Sequence, residues 1–305
     1  MKKFLPLFIF LVFSCNSVDP ILEYQKKLIS DDVTGSNIFK LVKNGEVVYQ
    51  EIANSGKLGD KDINDETIFP IWSMSKPVTT VAMMILYDQG AFELNDNLSD
   101  YLPEYKNMMC KNGDLIEPCQ NQIKIIDLLT HRSGFGYYSD VYGTNNFISE
   151  PSPLFKYMNT YLYDDLNEFS LAVSKQTLEF EPGKHYFYGL NQDILGRVIE
   201  VITGQNFYEF LVENLFQPLE MSNTKFHLTL DDREKFQPLY INKIPDTPMN
   251  PSTNSLIGFT NELDQLSYSE YNKNYLGSGG LVSTFSDYSN FCQMLVNEGE
   301  FNGKK

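Results

Sequence analysis

Apolar and polar positions along the chain form one strand-like pattern first and several helical patterns after it. Residues 38–53, IFKLVKNGEVVYQEIA, are two β-rich runs on either side of Asn44-Gly45, the strongest short-range hairpin signal. Ahead of them, ILEYQKKLISD at 21–31 reads as a short amphipathic helix. PVTTVAMMILYDQGAFEL predicts a helix ending near Gly90, and IKIIDLLTHRSGFG another, stopped by Gly134. DLNEFSLAVSKQ, LNQDILGRVIEVITGQ and SDYSNFCQMLVNEGE predict three more. The stretch after the hairpin is therefore mostly helical, without repeats, low-complexity tracts or an obvious linker. A lone hairpin is marginal and needs further strands or helices to cover it. Few later runs read as strands before FNGKK, so the sheet expected around the hairpin reads as unfinished.

Composition narrows the function classes. The 305 residues allow one large domain or two modest ones with a real core. Hydrophobic residues at 42% and aromatics at 14% set the chain apart from disordered ones. The net charge of −16 argues against nucleic acid, whose phosphates need clustered Lys and Arg. It argues equally against adhesion to anionic lipid, and serves solubility.

The first residues change the picture again. Lys2 and Lys3 precede FLPLFIFLVF, an apolar run of secretory-signal type, too short to span a bilayer. Val12-Phe13-Ser14-Cys15 resembles the bacterial lipobox, and no A-x-A-like cleavage site is visible. The reading is a signal over 1–14, a tether with a short helix over 15–34, lipidation at Cys15, and one domain over 35–305. That makes the protein an exported lipoprotein on the periplasmic or cell-surface face of a bacterial membrane. In such an oxidising compartment Cys110 and Cys119, which bracket KNGDLIEP, have two readings: a disulfide across the loop or a pair of free thiols. Cys292 lies in an apolar helical pattern and reads as buried. No CxxC pair or His/Cys cluster indicates a metal site.

The candidate chemistry sits in IWSMSKPVTT, residues 71–80. Ser73 and Lys76 are i and i+3, so a helix starting here puts them on one face. Pro77 falls in the first turn, where a missing N–H costs least. Ser73 would then stand at a helix N-terminus, whose N–H groups favour developing negative charge. A serine hydroxyl needs a base in reach, and a neutral lysine amine can be that base. Taken alone the motif is weak, because roughly one S-x-x-K arises by chance in a chain this long. Ser222 and Lys225 form a second one without a long apolar helix behind it, and read as the decoy. No G-x-S-x-G occurs, so a nucleophile elbow is missing. Of the three histidines, His131, His185 and His227, the first lies at a helix end and reads as a carbonyl cap. Order alone leaves a Ser/His/Asp triad open.

Five blocks occur in order: PIWSMSKPVTTVAMMIL, KIIDLLTHRSGFGY, EPGKHYFYGLNQDILGRVIEVITG, LFQPLEMSNTKF and GSGGLVSTFSDYSNFCQML. Together they resemble the β-lactamase-related serine hydrolases, which include class C β-lactamases, DD-peptidases and family VIII esterases. The resemblance runs from about residue 35 to the last. It implies an α+β fold of the serine β-lactamase and penicillin-binding-protein type. This is an antiparallel sheet with flanking helices, holding the 38–53 hairpin, beside a helical subdomain. It implies Ser73 as the acylated serine, Lys76 as its lysine and Tyr188 as the second-motif tyrosine. Two departures stand out. The family's Tyr-x-Asn reads Tyr188-Gly189-Leu190 here, with Asn191 one place late, which favours an esterase-like member over a β-lactamase. The third motif, a Gly-bearing Lys-Thr-Gly-type strand that supplies part of the oxyanion hole, would lie beyond residue 305.

The expected activity is acyl-enzyme hydrolysis of carboxylic esters or related small-molecule or peptide acyl substrates, with no metal or cofactor. The other reading is a non-catalytic or penicillin-binding cell-envelope lipoprotein, or an inactive fragment of the enzyme. Trp72, Met74 and Tyr186 flank the motifs, with core packing the reading for Met74 and no binding role given to any of the three. Gly277, Gly279 and Gly280 match no phosphate-loop spacing and read as a tight backbone approach near the site.

Overall fold

A computed structural model describes residues 19–137, 163–237, 240–241, 258–259, 268 and 271–304. The signal reading of 1–14 and the lipidation reading of Cys15 lie outside the described residues. Helix α1 (Pro20–Ser30) is capped by Asp19, whose carboxylate accepts from the Ile21 and Leu22 N–H groups. Strands β1 (Asn37–Lys43) and β2 (Glu46–Ala53) pair antiparallel, with a register shift between Leu41 and Val42. Asn44 and Gly45 both take positive φ, 53° and 80°, as a two-residue turn matched to strand twist requires. The hairpin leans on α1 through polar contacts. Gln25 is buried and donates to Asn37 Oδ1 at 2.9 Å, and the Tyr49 hydroxyl donates to Asp19 at 2.6 Å. Phe39, Leu41, Val47 and Val48 stay exposed. Among the described residues no further strand joins this pair.

Strand β3 (Ile68–Pro70) leads through a 3-10 turn (Trp72–Met74) into α2 (Ser75–Asp88). Val78, Ala82, Met83 and Leu86 of α2 recur at helical spacing and are buried. The short α3 (Leu98–Tyr101) precedes a hairpin that the apolar pattern does not announce, β4 (Met109–Asn112) with β5 (Leu115–Pro118). Cys110 and Cys119 are disulfide-bonded across it. Helix α4 (Ile125–Leu129) stops well before Gly134, which is shorter than its sequence predicts. The reason is His131, held at φ 55°. Its carbonyl accepts from the Phe187 N–H at 2.8 Å, and the Arg132 carbonyl accepts from the Gly183 N–H at 2.8 Å. The turn is thus tied to a distant segment rather than to its own helix.

Helix α5 (Leu166–Val173) and strand β6 (Thr177–Leu178), which runs parallel to β4, lead to α6 (Asn191–Thr203). Then come α7 (Phe207–Leu211), a π-turn over Val212–Phe216, and α8 (Leu230–Lys235). Strands β7 (Tyr240–Ile241) and β8 (Gly258–Phe259) pair with each other. Strand β9 (Val282–Thr284) pairs antiparallel with β3 and feeds α9 (Phe285–Val296). One large apolar core joins α2, α4, α5, α6, α7 and α9, and a smaller one of Ile68, Leu228, Phe236, Tyr268 and Val282 lies at β3–β9. Cys292, read as buried, is exposed on α9, because it falls beside the inward stripe of Phe291 and Met294. Met74, read as core, is also exposed. Among the described residues no helix is long and apolar enough to cross a membrane.

Candidate active site

Three segments distant in sequence meet at Ser73. The first is the β3–α2 junction. Here Trp72 takes φ 41°, a left-handed conformation that costs an ordinary residue roughly 1–2 kcal/mol. That kink turns an extended strand into a helix within a few residues and leaves Ser73 exposed while Ser75 and Lys76 go under the surface. Pro77 sits in the first turn of α2, as expected. Helix α2 is therefore preceded by a 3-10 turn carrying Ser73, rather than starting at Ser73 itself.

The second segment is 276–284. Beside the β3–β9 pairing, the Ile71 N–H donates to Leu281 O at 3.1 Å and the Leu281 N–H to Ser75 Oγ at 3.2 Å. Thr79 Oγ1 donates to Gly277 O at 2.8 Å. A Cβ on Gly277 would lie 2.5 Å from Gln192 O and 2.8 Å from Thr79 Oγ1, so only glycine fits between α2 and α6. The close-approach reading of this glycine cluster holds here. Asp193 is fully buried and accepts from the Ser278 N–H at 2.7 Å and the Ser278 hydroxyl at 2.8 Å. This aims the Ser278 carbonyl at Lys76.

The third segment is 183–191, which carries Tyr188. Its hydroxyl donates to Ser73 Oγ at 2.8 Å. Lys76 Nζ donates to Ser73 Oγ at 3.2 Å and to Ser278 O at 2.7 Å, and lies 4.7 Å from the Tyr188 ring centroid. Lys76 is 8% exposed and, among the described residues, makes no ion pair. Burial pushes the Tyr188 phenol up. Its hydrogen bonds with Lys76 and Ser73 and the Lys76 charge outweigh that and hold it below the ordinary tyrosine value. Ser73, Lys76 and Tyr188, the last of them distant in the chain from the other two, are thus in mutual contact.

Other candidates fall elsewhere. Lys225 pairs with Asp232 at 2.8 Å, a partly buried structural ion pair. Among the described residues no histidine is hydrogen-bonded to Ser73. His185 stands edge-on to Phe180 and His227 edge-on to Tyr208. His131, read as a carbonyl cap, instead stacks its ring on Tyr188 at 4.9 Å and 22°. Asn191 is engaged by His131 Nδ1 and Ser133. Sequence reasoning missed His131, Asn191, Asp193 and Ser278 as parts of this neighbourhood, although THRSG, LNQD and GSGG carried them. Among the described residues the one grouping of potential metal ligands is Cys110, Cys119 and Glu181, and its two sulfurs are bonded to each other.

This arrangement of small sheets and helices, with a lysine and a tyrosine meeting at a serine ahead of a buried helix, is an α+β fold of the penicillin-binding-protein and β-lactamase class. Residues 34–305 match the Beta-lactamase family, and the chain belongs to it. Protein Rv1367c of Mycobacterium tuberculosis is 27% identical over 277 residues, covering 87% of this chain and 61% of its own length. The chain thus spans about three-fifths of that relative. Among solved structures, EstCE1, a hydrolase with promiscuous acyltransferase activity, superposes with a TM-score of 0.68 at 22% identity, over 93% of this chain and 73% of its own. A β-lactamase/D-alanine carboxypeptidase from Yersinia pestis gives 0.61 at 18%, over 90% and 67%. At these identities the superpositions establish the fold.

Proposed function

We propose that the protein is a serine hydrolase that forms an acyl-enzyme on Ser73 and cleaves carboxylic esters or related acyl substrates. The observation that carries this reading is the contact of Tyr188 Oη and Lys76 Nζ with one serine oxygen, at 2.8 and 3.2 Å. Both distances lie within the reach a nucleophile and its base require. In this reading Ser73 Oγ attacks the carbonyl carbon while its proton passes to Lys76, which serves as the base in its unprotonated form. The Ser73 N–H faces the oxyanion. Tyr188 carries the proton on to the leaving oxygen as the ester C–O bond breaks. Water then adds to the acyl carbon, Ser73 leaves and recovers its proton, and the acid departs. A neighbour of the same fold, described as a hydrolase with promiscuous acyltransferase activity, supports the ester reading. So does Asn191, which is engaged with His131 and Ser133 rather than facing the serine as a Tyr-x-Asn amide would. The Cys110–Cys119 disulfide supports export, and Cys15 remains the proposed lipid anchor.

The test is fluorophosphonate labelling and p-nitrophenyl butyrate hydrolysis by the full chain and its Ser73→Ala variant. Labelling and turnover are expected in the first and lost in the second. A variant that still labels and cleaves overturns the assignment. Stable acylation by benzylpenicillin with no ester turnover assigns the protein to penicillin binding instead.

A further inference from the structure

The reading above leaves His131 without a task, yet its surroundings are built. Its ring lies nearly parallel to Tyr188, at 4.9 Å and 22°, on a phenol that already meets Ser73 and Lys76. Behind the ring, Asn191 is fully buried and its amide nitrogen lies 2.9 Å from His131 Nδ1. The orientation of that amide is set from the other side. Ser133, also fully buried, accepts from the Phe135 N–H at 3.1 Å and donates its hydroxyl to Asn191 Oδ1 at 2.5 Å. With Oδ1 so engaged, Asn191 presents N–H to His131, and Nδ1 must accept. The imidazole is thereby neutral, with its proton on Nε2. Protonating Nδ1 would set two donors against each other and add a cation near Lys76. Burial and the Lys76 charge accordingly hold His131 below the ordinary imidazole value. The groups facing it are Tyr188 and Tyr186 from the 183–191 segment, Asn191 from α6 and Lys76 from α2.

We propose that His131 is a positioning residue for Tyr188. The chain Ser133–Asn191–His131 clamps a neutral imidazole whose face holds the phenol with its hydroxyl on Ser73. The inference rests on the Ser73 hydrolase reading and assigns it a part that touches no substrate. An offset stack confines a ring in tilt and height. A misplacement near 1 Å at a reacting group costs up to about a hundred-fold in rate. Tyr188 is 38% exposed, so without that face it has room to swing off the serine.

The experiment is a double-mutant cycle on ester hydrolysis by the full chain, with folding checked by thermal melting. His131→Ala should lower kcat about ten- to a hundred-fold with KM changed less than about threefold. His131→Phe keeps a flat face without Nδ1 and should restore kcat to within about fivefold of the parent. Asn191→Ala should lower kcat in the parent but cost little more in the His131→Phe background, because Asn191 acts on the ring through Nδ1. A purely structural Asn191 would cost the same in both. Equal losses in both backgrounds, or a His131→Ala protein with unchanged kcat, overturn the inference. If His131→Ala does not fold, the Phe and Asn191 arms still decide it. A parent that neither labels at Ser73 nor turns over fails the underlying hydrolase reading instead, and that outcome is distinct from both.

Discussion

Gly189→Ala is the sharpest test of how the fold holds Tyr188. Gly189 is buried, and a Cβ there would lie 2.2 Å from Phe135 O, 3.0 Å from Phe135 C and 3.2 Å from Gly136 Cα. All three atoms are backbone, so no flexible side chain can swing aside. Contact distance lies roughly 1 Å or more beyond the shortest of these, and the two segments must part by about that amount. The Phe135 side is braced, since its N–H is held by Ser133 and the adjacent Gly134 carbonyl accepts from the Glu179 N–H at 2.8 Å. The 183–191 loop is more exposed and should yield, carrying Tyr188 off Ser73 Oγ. Overpacking of this kind lowers stability by about 1–3 kcal/mol, and a 1 Å shift at the reacting centre lowers kcat by up to about a hundred-fold. The assays are p-nitrophenyl butyrate turnover, the rate of fluorophosphonate labelling and a melting curve. A protein less stable but catalytically unchanged would refute the reasoning, since the strain would then have relaxed away from Tyr188.

Further outcomes are expected from the disulfide and from pH. Replacing Cys110 and Cys119 by Ala, or reducing them, should lower stability by about 2–3 kcal/mol for a closed loop of this length, read as a shift in melting temperature. Activity should fall less, because the Gln120 and Asn121 N–H groups still bind the Glu181 carboxylate below the Tyr188 loop. The folded His131 pKa is depressed, so the unfolded chain takes up that proton first, near pH 6.5. Its contribution to stability is therefore held above about pH 6.5 and lost as pH falls through that value towards the folded pKa. Urea midpoints measured between pH 8 and pH 5 should decline less steeply in His131→Phe. An unchanged slope would show that His131 carries no such linkage.

Much of the local order was legible in the chain. Asn44-Gly45 dictates its turn because few other pairs take two positive φ values, and the helices at 75–88, 191–203 and 285–296 follow from apolar spacing. Ser73 and Lys76 stand near each other because three residues of helix bring them there. What local pattern left open is what depends on partners far along the chain. Helix α4 ends early because residues 183 and 187 bind the carbonyls of Arg132 and His131, and no neighbour in sequence announces that. Strand β3 is too short to show a period and exists because 282–284 lies beside it. Cys292 and Met74 are apolar by type, but which side of an element faces the core is set by what packs there.

The site divides along the same line. Residue type and spacing nominated the serine and its lysine, and the resemblance of five ordered blocks to the β-lactamase-related serine hydrolases nominated Tyr188 among 19 tyrosines. Only tertiary structure brought the phenol to 2.8 Å from the serine oxygen and put His131 against its face. It alone anchored the Ser278 carbonyl on buried Asp193 so that it meets Lys76. A sequence carries the chemistry of its residues and the geometry of a few bonds. Distances between residues 73, 131, 188 and 278 are set by how helices and strands close around a shared core, a property of the packed chain as a whole.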